Sequence, residues 1–235
     1  MSLIVCCYTS TGIAISADSR TTNSRVEQAT TPLSNHPSGS LATIRTSLVL
    51  SDSTRKLFCV TNRYAVATWG EAFVKDLPIA HYIDEFTRAQ QERPSESPIE
   101  LAESLLAFVS GIAPTRPIGL AVVGYKDGEP YVLHVDNMKS VVTRQNVDSA
   151  GYRVYGVYYC GDNDVVKRLL SAPGAVSQVG LFNLQDAVDF TRHLIRTTID
   201  QMRFEPRVAT VGGHIDTITL TPIRTEFLVQ KALHA

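Results

Sequence analysis

Apolar residues near the start of the chain occur in short runs that are separated by small polar or glycine-containing segments. Residues 2–8 and 13–20 form two such runs, and the turn-forming residues 9–12 join them. A second pair spans residues 55–60 and 64–70, with a short polar turn between them. Runs of this length bounded by turn residues are typical of β-hairpins. We therefore predict two antiparallel hairpins in this part of the chain.

Helical periodicity replaces this pattern in the next part of the chain. Apolar residues recur at helical intervals over residues 71–91, with an interruption near Pro78. A second helix is predicted to begin at Ser97, which is a typical N-cap residue. Pro98 in its first turn and Glu100 at the capping-box position support this start.

Strands and helices alternate once more towards the end of the chain. Residues 118–136 are predicted as a hairpin, and residues 155–160 as a strand that leads into a short helix. A long helix is predicted from a cap at Asn183 to about Met202, followed by a strand at residues 211–221. This order fits an α+β fold in which helices cover the outer faces of two packed antiparallel sheets.

Length and composition are compatible with one domain over residues 1–235, and 44% hydrophobic residues can form a substantial core. No apolar run approaches the roughly eighteen residues of a membrane span. The first residues also lack the basic and apolar regions of a secretory signal. We therefore expect a cytoplasmic protein without a membrane-spanning segment.

Charge and residue spacing give no indication of a nucleic acid, metal or cofactor. The net charge of −1 provides no argument for a nucleic acid or an anionic membrane as partner. The four cysteines lack paired metal-ligand spacing and are expected to be buried thiols. The six histidines are scattered, and His134 and His214 are expected to be structural residues of strands. No glycine-rich loop resembles a phosphate-binding loop.

Ser2 is a candidate nucleophile, because removal of Met1 would place the serine hydroxyl beside a free α-amine. An α-amine has an ordinary pKa of about 7.7–8.0 and can accept the hydroxyl proton near neutral pH. Serine requires such a base because its hydroxyl alone is a weak nucleophile. Met-Ser is also a common beginning of proteins without this chemistry, so the hypothesis depends on the residues that accompany it.

Three further segments carry a family resemblance. The first hairpin ends on Asp18, Lys56 precedes a strand, and residues 212–216 have the form Gly-Gly-x-Ile-Asp. Together they resemble the proteasome-type N-terminal nucleophile hydrolases, which keep the same interval between nucleophile and aspartate as Ser2 and Asp18. Residues 26–31 are most similar to the bacterial ancestral β-subunit-like branch. The resemblance covers most of the chain and implies a four-layer αββα sandwich.

The resemblance also implies a mechanism of amide-bond hydrolysis without a cofactor. Ser2 attacks a peptide carbonyl to form an acyl-enzyme, and its own α-amine accepts the hydroxyl proton directly or through a water. Lys56 favours the ionised nucleophile as a nearby cation, while Asp18 fixes the position and charge of Lys56. Gly70 corresponds to the family's oxyanion donor, which acts through its backbone N–H. Without the resemblance, the preferred interpretation of Asp18 and Lys56 is a structural ion pair or two solvated charges.

Further positions are assigned by the same resemblance. Arg20 is expected to brace the loop after the first hairpin rather than to take part in chemistry. Thr21 and Thr22 are expected to line the cleft, with the Thr22 backbone pairing with an extended polypeptide substrate. Thr68 and Ala72 are expected to shape the pocket for a substrate side chain.

Two departures from the family concern support of the nucleophile. The supporting serine of the family corresponds to Cys160, just before Gly161, and the family's supporting Asp and Ser align with Val208 and Val211. Either another network supports the amine or the activity is weak. Serine in place of threonine also removes a methyl group that restricts rotation of the nucleophile.

The link between Asp18 and Lys56 is much longer than in the resembling families. We assign an insertion to about residues 32–53, in which residues 32–40 are predicted as a loop and residues 44–50 as a short strand. Long insertions beside an active site are often lids or contact arms. An insertion that lies on the surface and has no function is an equally supported alternative.

The resemblance implies homo-oligomers, built as stacked rings or an open spiral, but indicates neither an ATPase partner nor a cleavage preference. Two alternatives to a peptidase remain open. A catalytically inactive ring subunit is favoured by Val208 and Val211, and by Met1 if it is retained. An amidohydrolase of the same superfamily would act on a small amide instead of a polypeptide.

Overall fold

The computed structural model describes residues 2–28, 43–172, 174–175 and 178–232. Four α-helices are present in these ranges: α1 (Ile79–Glu92), α2 (Pro98–Ile112), α3 (Asp164–Ser171) and α4 (Leu184–Met202). The strands of the same ranges are β1 (Leu3–Tyr8), β2 (Ile13–Asp18), β3 (Thr21–Gln28), β4 (Thr43–Ser51), β5 (Leu57–Val60), β6 (Tyr64–Gly70), β7 (Phe73–Val74), β8 (Leu77–Pro78), β9 (Ile118–Lys126), β10 (Glu129–Asp136), β11 (Val141–Arg144), β12 (Gly156–Gly161), β13 (Ile215–Leu220) and β14 (Thr225–Val229).

Ten of these strands form two five-stranded antiparallel sheets. The first sheet has the order β12-β1-β2-β13-β14, and the second has the order β11-β10-β9-β6-β5. The predicted hairpins are confirmed, because β1 pairs with β2, β5 with β6, and β9 with β10. Strand β1 is buried along its whole length, so its residues face apolar layers on both sides of the first sheet.

The two sheets pack face to face and are covered by helices on their outer sides. Alternate residues of β1 and β2, including Ile4 and Ile15, meet Ala65 and Val123 of the second sheet in one apolar cluster. Helices α1 and α2 cover the second sheet, while α4 packs against β1 and β2 of the first. The predicted four-layer αββα sandwich is therefore confirmed.

Both predicted helix caps are present. The Ser97 hydroxyl accepts a hydrogen bond from the Glu100 backbone N–H at 3.2 Å. Asn183 and Asp186 form a complete capping box at the start of α4. In the described ranges, no helix combines the length and the apolar character needed to cross a membrane.

The helix predicted from residue 71 was wrong in its first part. Strands β7 and β8 form a small hairpin there, and α1 begins only after Pro78. The two residues of the turn, Lys75 and Asp76, both have positive φ angles of 47° and 66°. Apolar spacing alone does not reveal such a turn, because neither residue is the glycine that normally marks it.

Strands β3 and β4 form a separate two-stranded arm next to the end of β2. Strand β4 contains the strand predicted at residues 44–50, and its Val49 pairs with Thr22 of β3. The loop predicted at residues 32–40 lies outside the described residues. The arm thus begins at Thr21, only three positions after Asp18.

Candidate active site

The carboxylate of Asp18 is the centre of the site. Its Oδ1 accepts hydrogen bonds from the Leu3 backbone N–H at 2.9 Å and from Lys56 Nζ at 2.7 Å. Its Oδ2 accepts from the backbone N–H groups of Arg20 at 3.1 Å and Gly212 at 3.0 Å. Because Asp18 is 1% exposed, these four donors take the place of water around the charge.

Lys56 lies immediately before β5 and reaches across from the second sheet to Asp18. Its Nζ also donates to the backbone carbonyl of Arg20 at 2.6 Å. The side chain is almost fully buried. Burial lowers the pKa of the Lys56 ammonium, and the attraction of Asp18 opposes this shift. A lysine with a lowered pKa releases its proton more readily than an exposed lysine does.

Ser2 directly precedes β1 and is 6% exposed. Its carbonyl oxygen accepts a hydrogen bond from the Asp162 backbone N–H at 2.7 Å. Ser2 lines a small cavity of about 20 Å³, here called the Ser2 cavity. Six predicted site residues line this cavity together: Ser2, Thr21, Lys56, Thr68, Gly70 and Ala72.

Gly70 ends β6 at the edge of the Ser2 cavity and has a φ of 95°. A Cβ atom on this residue would lie 2.4 Å from the carbonyl oxygen of Pro117. Both the left-handed conformation and the close approach of Pro117 therefore require glycine here. The neighbouring Glu71 N–H donates to the same Pro117 oxygen at 3.0 Å, which holds the strand end in place.

A larger cleft adjoins the Ser2 cavity and shares the lining residues Thr21, Gly70 and Ala72 with it. Thr22 and Phe73 both line this cleft. The arm β3–β4 and the β7–β8 hairpin thus both contribute to it. An extended segment could lie in this cleft and reach Ser2.

Arg20 does not line the Ser2 cavity. Its guanidinium forms a two-pronged ion pair with Asp52, with Nε–Oδ1 and Nη2–Oδ2 distances of 2.6 and 2.8 Å. The remaining terminal nitrogen of Arg20 donates to the Ala209 carbonyl at 3.2 Å. These bonds join three segments around the backbone of Arg20, whose carbonyl accepts from Lys56.

Cys160 and Gly161 lie on β12, which pairs with β1. Cys160 is opposite Ile4 and its side chain is buried in the apolar cluster between the sheets, away from the residues that line the Ser2 cavity. Gly161 is opposite Leu3, with a φ of 87°. A Cβ atom on Gly161 would lie 1.8 Å from the Ser2 carbonyl oxygen.

The two positions that align with the family's supporting Asp and Ser are both valines, one buried and one exposed. Val211 is fully buried in the cluster between the first sheet and α4. Val208 is 38% exposed. Neither valine side chain supplies a hydrogen bond to the site.

Several polar residues of the site were not predicted. Asp52 lies within the predicted insertion and pairs with Arg20. Thr54 lines the Ser2 cavity and accepts a hydrogen bond from the Thr21 hydroxyl at 2.6 Å. Asp162 and Thr210 bond to each other beside Ser2, 48 positions apart in the chain.

Ion-binding side chains do not cluster in the described ranges. No group of three or more His, Cys, Asp or Glu residues in these ranges could hold a metal ion. The four cysteines contain free thiols, and burial raises the pKa of Cys7 to about 12 and of Cys59 to about 11.

Comparison with known proteins yields a likeness in structure only. No family model and no curated protein matches the sequence. Among solved structures, an Anbu (Gly-1) mutant from Hyphomicrobium sp. strain MC1 matches with a TM-score of 0.63 at 14% sequence identity. The match covers 98% of this chain and 86% of the Anbu chain. The protein therefore has the fold of the Anbu protein, the bacterial branch of proteasome-like N-terminal nucleophile hydrolases that its sequence motifs resemble.

Proposed function

We propose that the protein is a cytoplasmic, proteasome-like peptidase whose nucleophile is Ser2 after removal of Met1. One observation supports the proposal most directly. Ser2 and Lys56 line the same cavity, and Lys56 is paired there with the buried Asp18. Ser2 precedes and Asp18 ends a strand of the first sheet, whereas Lys56 precedes a strand of the second. A purely structural ion pair has no need of a serine and an open cavity beside it.

The reaction begins with attack of the Ser2 hydroxyl oxygen on a peptide carbonyl. The hydroxyl proton passes to the free α-amine of Ser2, directly or through a water, and then to the leaving amine as the C–N bond breaks. A water molecule next attacks the ester carbonyl of the acyl-enzyme. This second step releases the carboxylic acid and restores the Ser2 hydroxyl.

Lys56 and Asp18 adjust the charge around the nucleophile. The protonated Lys56 ammonium favours negative charge that develops on the Ser2 oxygen. Asp18 holds this ammonium in position through Oδ1, while the Leu3 N–H on the same oxygen keeps β1 in register. Arg20 supports the arrangement through its carbonyl, which binds the opposite side of Lys56 Nζ.

Gly70 is assigned the oxyanion donor, because its position at the cavity edge leaves the backbone uncovered by a side chain. Removal of one donor of this kind costs about 10²–10³ in rate in enzymes that form tetrahedral intermediates. The substrate is placed in the adjoining cleft, as an added strand beside Thr22. Thr68 and Ala72 then border the substrate side chain nearest to the scissile bond.

Self-association belongs to the same proposal. We infer a homo-oligomer, as stacked rings or an open spiral, that encloses the active sites. Sedimentation at micromolar concentration tests this part independently of catalysis. A purely monomeric sample contradicts the assembly.

The experiment that tests the catalytic proposal is intact-mass measurement before and after incubation with a peptide epoxyketone. We expect loss of Met1 and one covalent adduct per chain. The variant Ser2→Ala should form no adduct. Ser10→Ala is the matched control, because Ser10 is an exposed serine in the β1–β2 turn, and it should be labelled like the wild type.

Retention of Met1 without an adduct contradicts the proposal and favours a catalytically inactive ring subunit. An adduct with turnover of small acyl amides, but not of short peptides, favours the amidohydrolase alternative. A panel of both substrate types therefore follows the mass measurement.

A further inference from the structure

We propose that Asp162 is a positioning residue for the nucleophile, with Thr210 and Arg207 holding its carboxylate. This inference rests on the proposed function of Ser2. It concerns a charged side chain that is not among the groups assigned to the reaction. The family's own supporting Asp and Ser are replaced in this chain by Val208 and Val211.

The peptide group between Ser2 and Leu3 is held from both sides. Its carbonyl oxygen accepts from the Asp162 N–H at 2.7 Å, and its N–H donates to Asp18 Oδ1 at 2.9 Å. After removal of Met1, this peptide group is the sole covalent attachment of Ser2. Its orientation therefore determines where the serine hydroxyl and the α-amine lie.

Gly161 permits the close approach of Asp162 to Ser2. Its φ of 87° turns the chain at the end of β12, and any Cβ atom at this position would overlap the Ser2 carbonyl oxygen. The hydrogen bond from Asp162 consequently forms just beyond the regular ladder of β1 and β12. A backbone N–H at such a turn needs another restraint to stay in place.

The side chain of Asp162 supplies that restraint. Its Oδ2 accepts a hydrogen bond from the Thr210 hydroxyl and forms an ion pair with Arg207 Nη1 at 2.7 Å. The Asp162 side chain is 4% exposed and Thr210 is buried, so neither group can exchange these partners for bulk water. A carboxylate with two such donors is held more firmly than one with neutral donors alone.

The residues that hold Asp162 belong to a loop that also contacts the Lys56–Asp18 pair. In this loop, residues 207–213, the Gly212 N–H donates to Asp18 Oδ2 and the Ala209 carbonyl accepts from Arg20. The loop therefore links both hydrogen bonds that hold the Ser2–Leu3 peptide group. Thr210 and Asp162 provide the polar support that Val208 and Val211 cannot provide.

Small displacements of a nucleophile have large effects on rate. A shift of about 1 Å in a reacting group can cost about 10²-fold. Loss of the Asp162 carboxylate should therefore slow acylation. Binding of the substrate in the cleft should be preserved, because Asp162, Thr210 and Arg207 are not among the residues that line it.

The test is the kinetics of adduct formation by a peptide epoxyketone, which separates the rate at saturation from the apparent dissociation constant. We expect Thr210→Val, which removes only the hydroxyl, to lower the saturating rate by about tenfold. Asp162→Ala should lower it by about 10²-fold. Thr210→Ser should restore the rate towards the wild-type value, and none of the three should change the dissociation constant appreciably.

The matched control is Thr87→Val, which removes a threonine hydroxyl that bonds to the Ile83 carbonyl within α1 on the opposite outer layer. It should be labelled at the wild-type rate. If Asp162→Ala does not fold, Arg207→Gln at the more exposed end of the network should lower the saturating rate in the same direction.

Unchanged saturating rates in folded Thr210→Val and Arg207→Gln overturn the positioning role and leave the proposed function intact. A weaker apparent affinity with an unchanged rate overturns it as well, because it places the network in substrate binding. An unlabelled wild-type protein overturns both proposals.

Discussion

Lys56 and Asp18 form a buried ion pair, with lysine Nζ 2.7 Å from aspartate Oδ1. Asp18 ends a strand of the first sheet, whereas Lys56 precedes an edge strand of the second. The pair therefore joins the two sheets at one end of the sandwich. Buried pairs of this kind contribute little net stability, but loss of either partner leaves an uncompensated charge.

Substitution of one partner should thus destabilise the fold. We expect Lys56→Met to lower the free energy of unfolding by about 3–5 kcal/mol, because Asp18 loses its cation and remains buried. The double variant Lys56→Met with Asp18→Asn should recover part of this loss, since neither charge remains. Urea unfolding measures the stability, and epoxyketone labelling should be absent from both variants. A single variant as stable as the wild type would contradict the assigned pairing.

Substitution of Gly70 tests the backbone of the predicted oxyanion donor. In Gly70→Ala, the new methyl group meets the Pro117 carbonyl, so the strand end must shift and labelling should slow by about 10²-fold or more. The control is Gly128→Ala, because Gly128 has a similar positive φ of 77° but open space around a Cβ atom. That variant should lose some stability through backbone strain and retain the wild-type labelling rate. Equal labelling of both variants would remove Gly70 from the mechanism.

Acid unfolding should depend on the Arg20–Asp52 pair. The hydrogen bonds from Arg20 hold the pKa of Asp52 below its ordinary value of 3.8. Between the lowered pKa and the ordinary pKa of Asp52, the folded protein consequently binds fewer protons than the unfolded chain. The contribution of the pair is complete above about pH 3.8 and is lost as the pH falls through the lowered pKa.

The measurement is the free energy of unfolding as a function of pH. Below pH 3.8 it should fall more steeply in the wild type than in Asp52→Asn. Asp127→Asn, at an exposed turn between β9 and β10, should follow the wild-type curve. Parallel curves for the wild type and Asp52→Asn would show that the pair makes no pH-dependent contribution.

Introduction of the family's serine at Cys160 should not raise the activity. The Cys160 thiol lies with Tyr158 in the apolar cluster between the sheets. A hydroxyl there is more costly to bury, so Cys160→Ser should lose about 1–3 kcal/mol of stability. Labelling should be no faster than in Cys160→Ala. A faster rate in the serine variant would place this side chain in the chemistry.

Local chemistry explains why the elements could be predicted from the sequence. The turns at residues 9–12 and 126–129 and the caps at Ser97 and Asn183 depend on neighbours in the chain. Strand β11 was not predicted, because its four residues give too short a pattern. The strand predicted at residues 211–221 begins only at Ile215, since the Gly212 N–H is directed to Asp18 instead of a ladder.

Residues of the site could be predicted only where they belong to a family motif. Family spacing indicated Asp18 and Lys56, and the structure brings them together. Asp162 and Thr210 belong to loops that meet through folding, and no periodicity or spacing in one sequence reveals such a pair. Asp52 was missed for a related reason, because it lies in the segment where the chain departs from the family.

The bond between Gly212 and Asp18 spans 194 positions of the chain. Synthesis proceeds from the N-terminus, so Ser2 is made long before residues 207–213, which complete its surroundings. A partly synthesised chain thus carries the proposed nucleophile without the groups that orient it. In the proposed mechanism, the chain therefore becomes competent for cleavage only after this late segment has folded against Asp18.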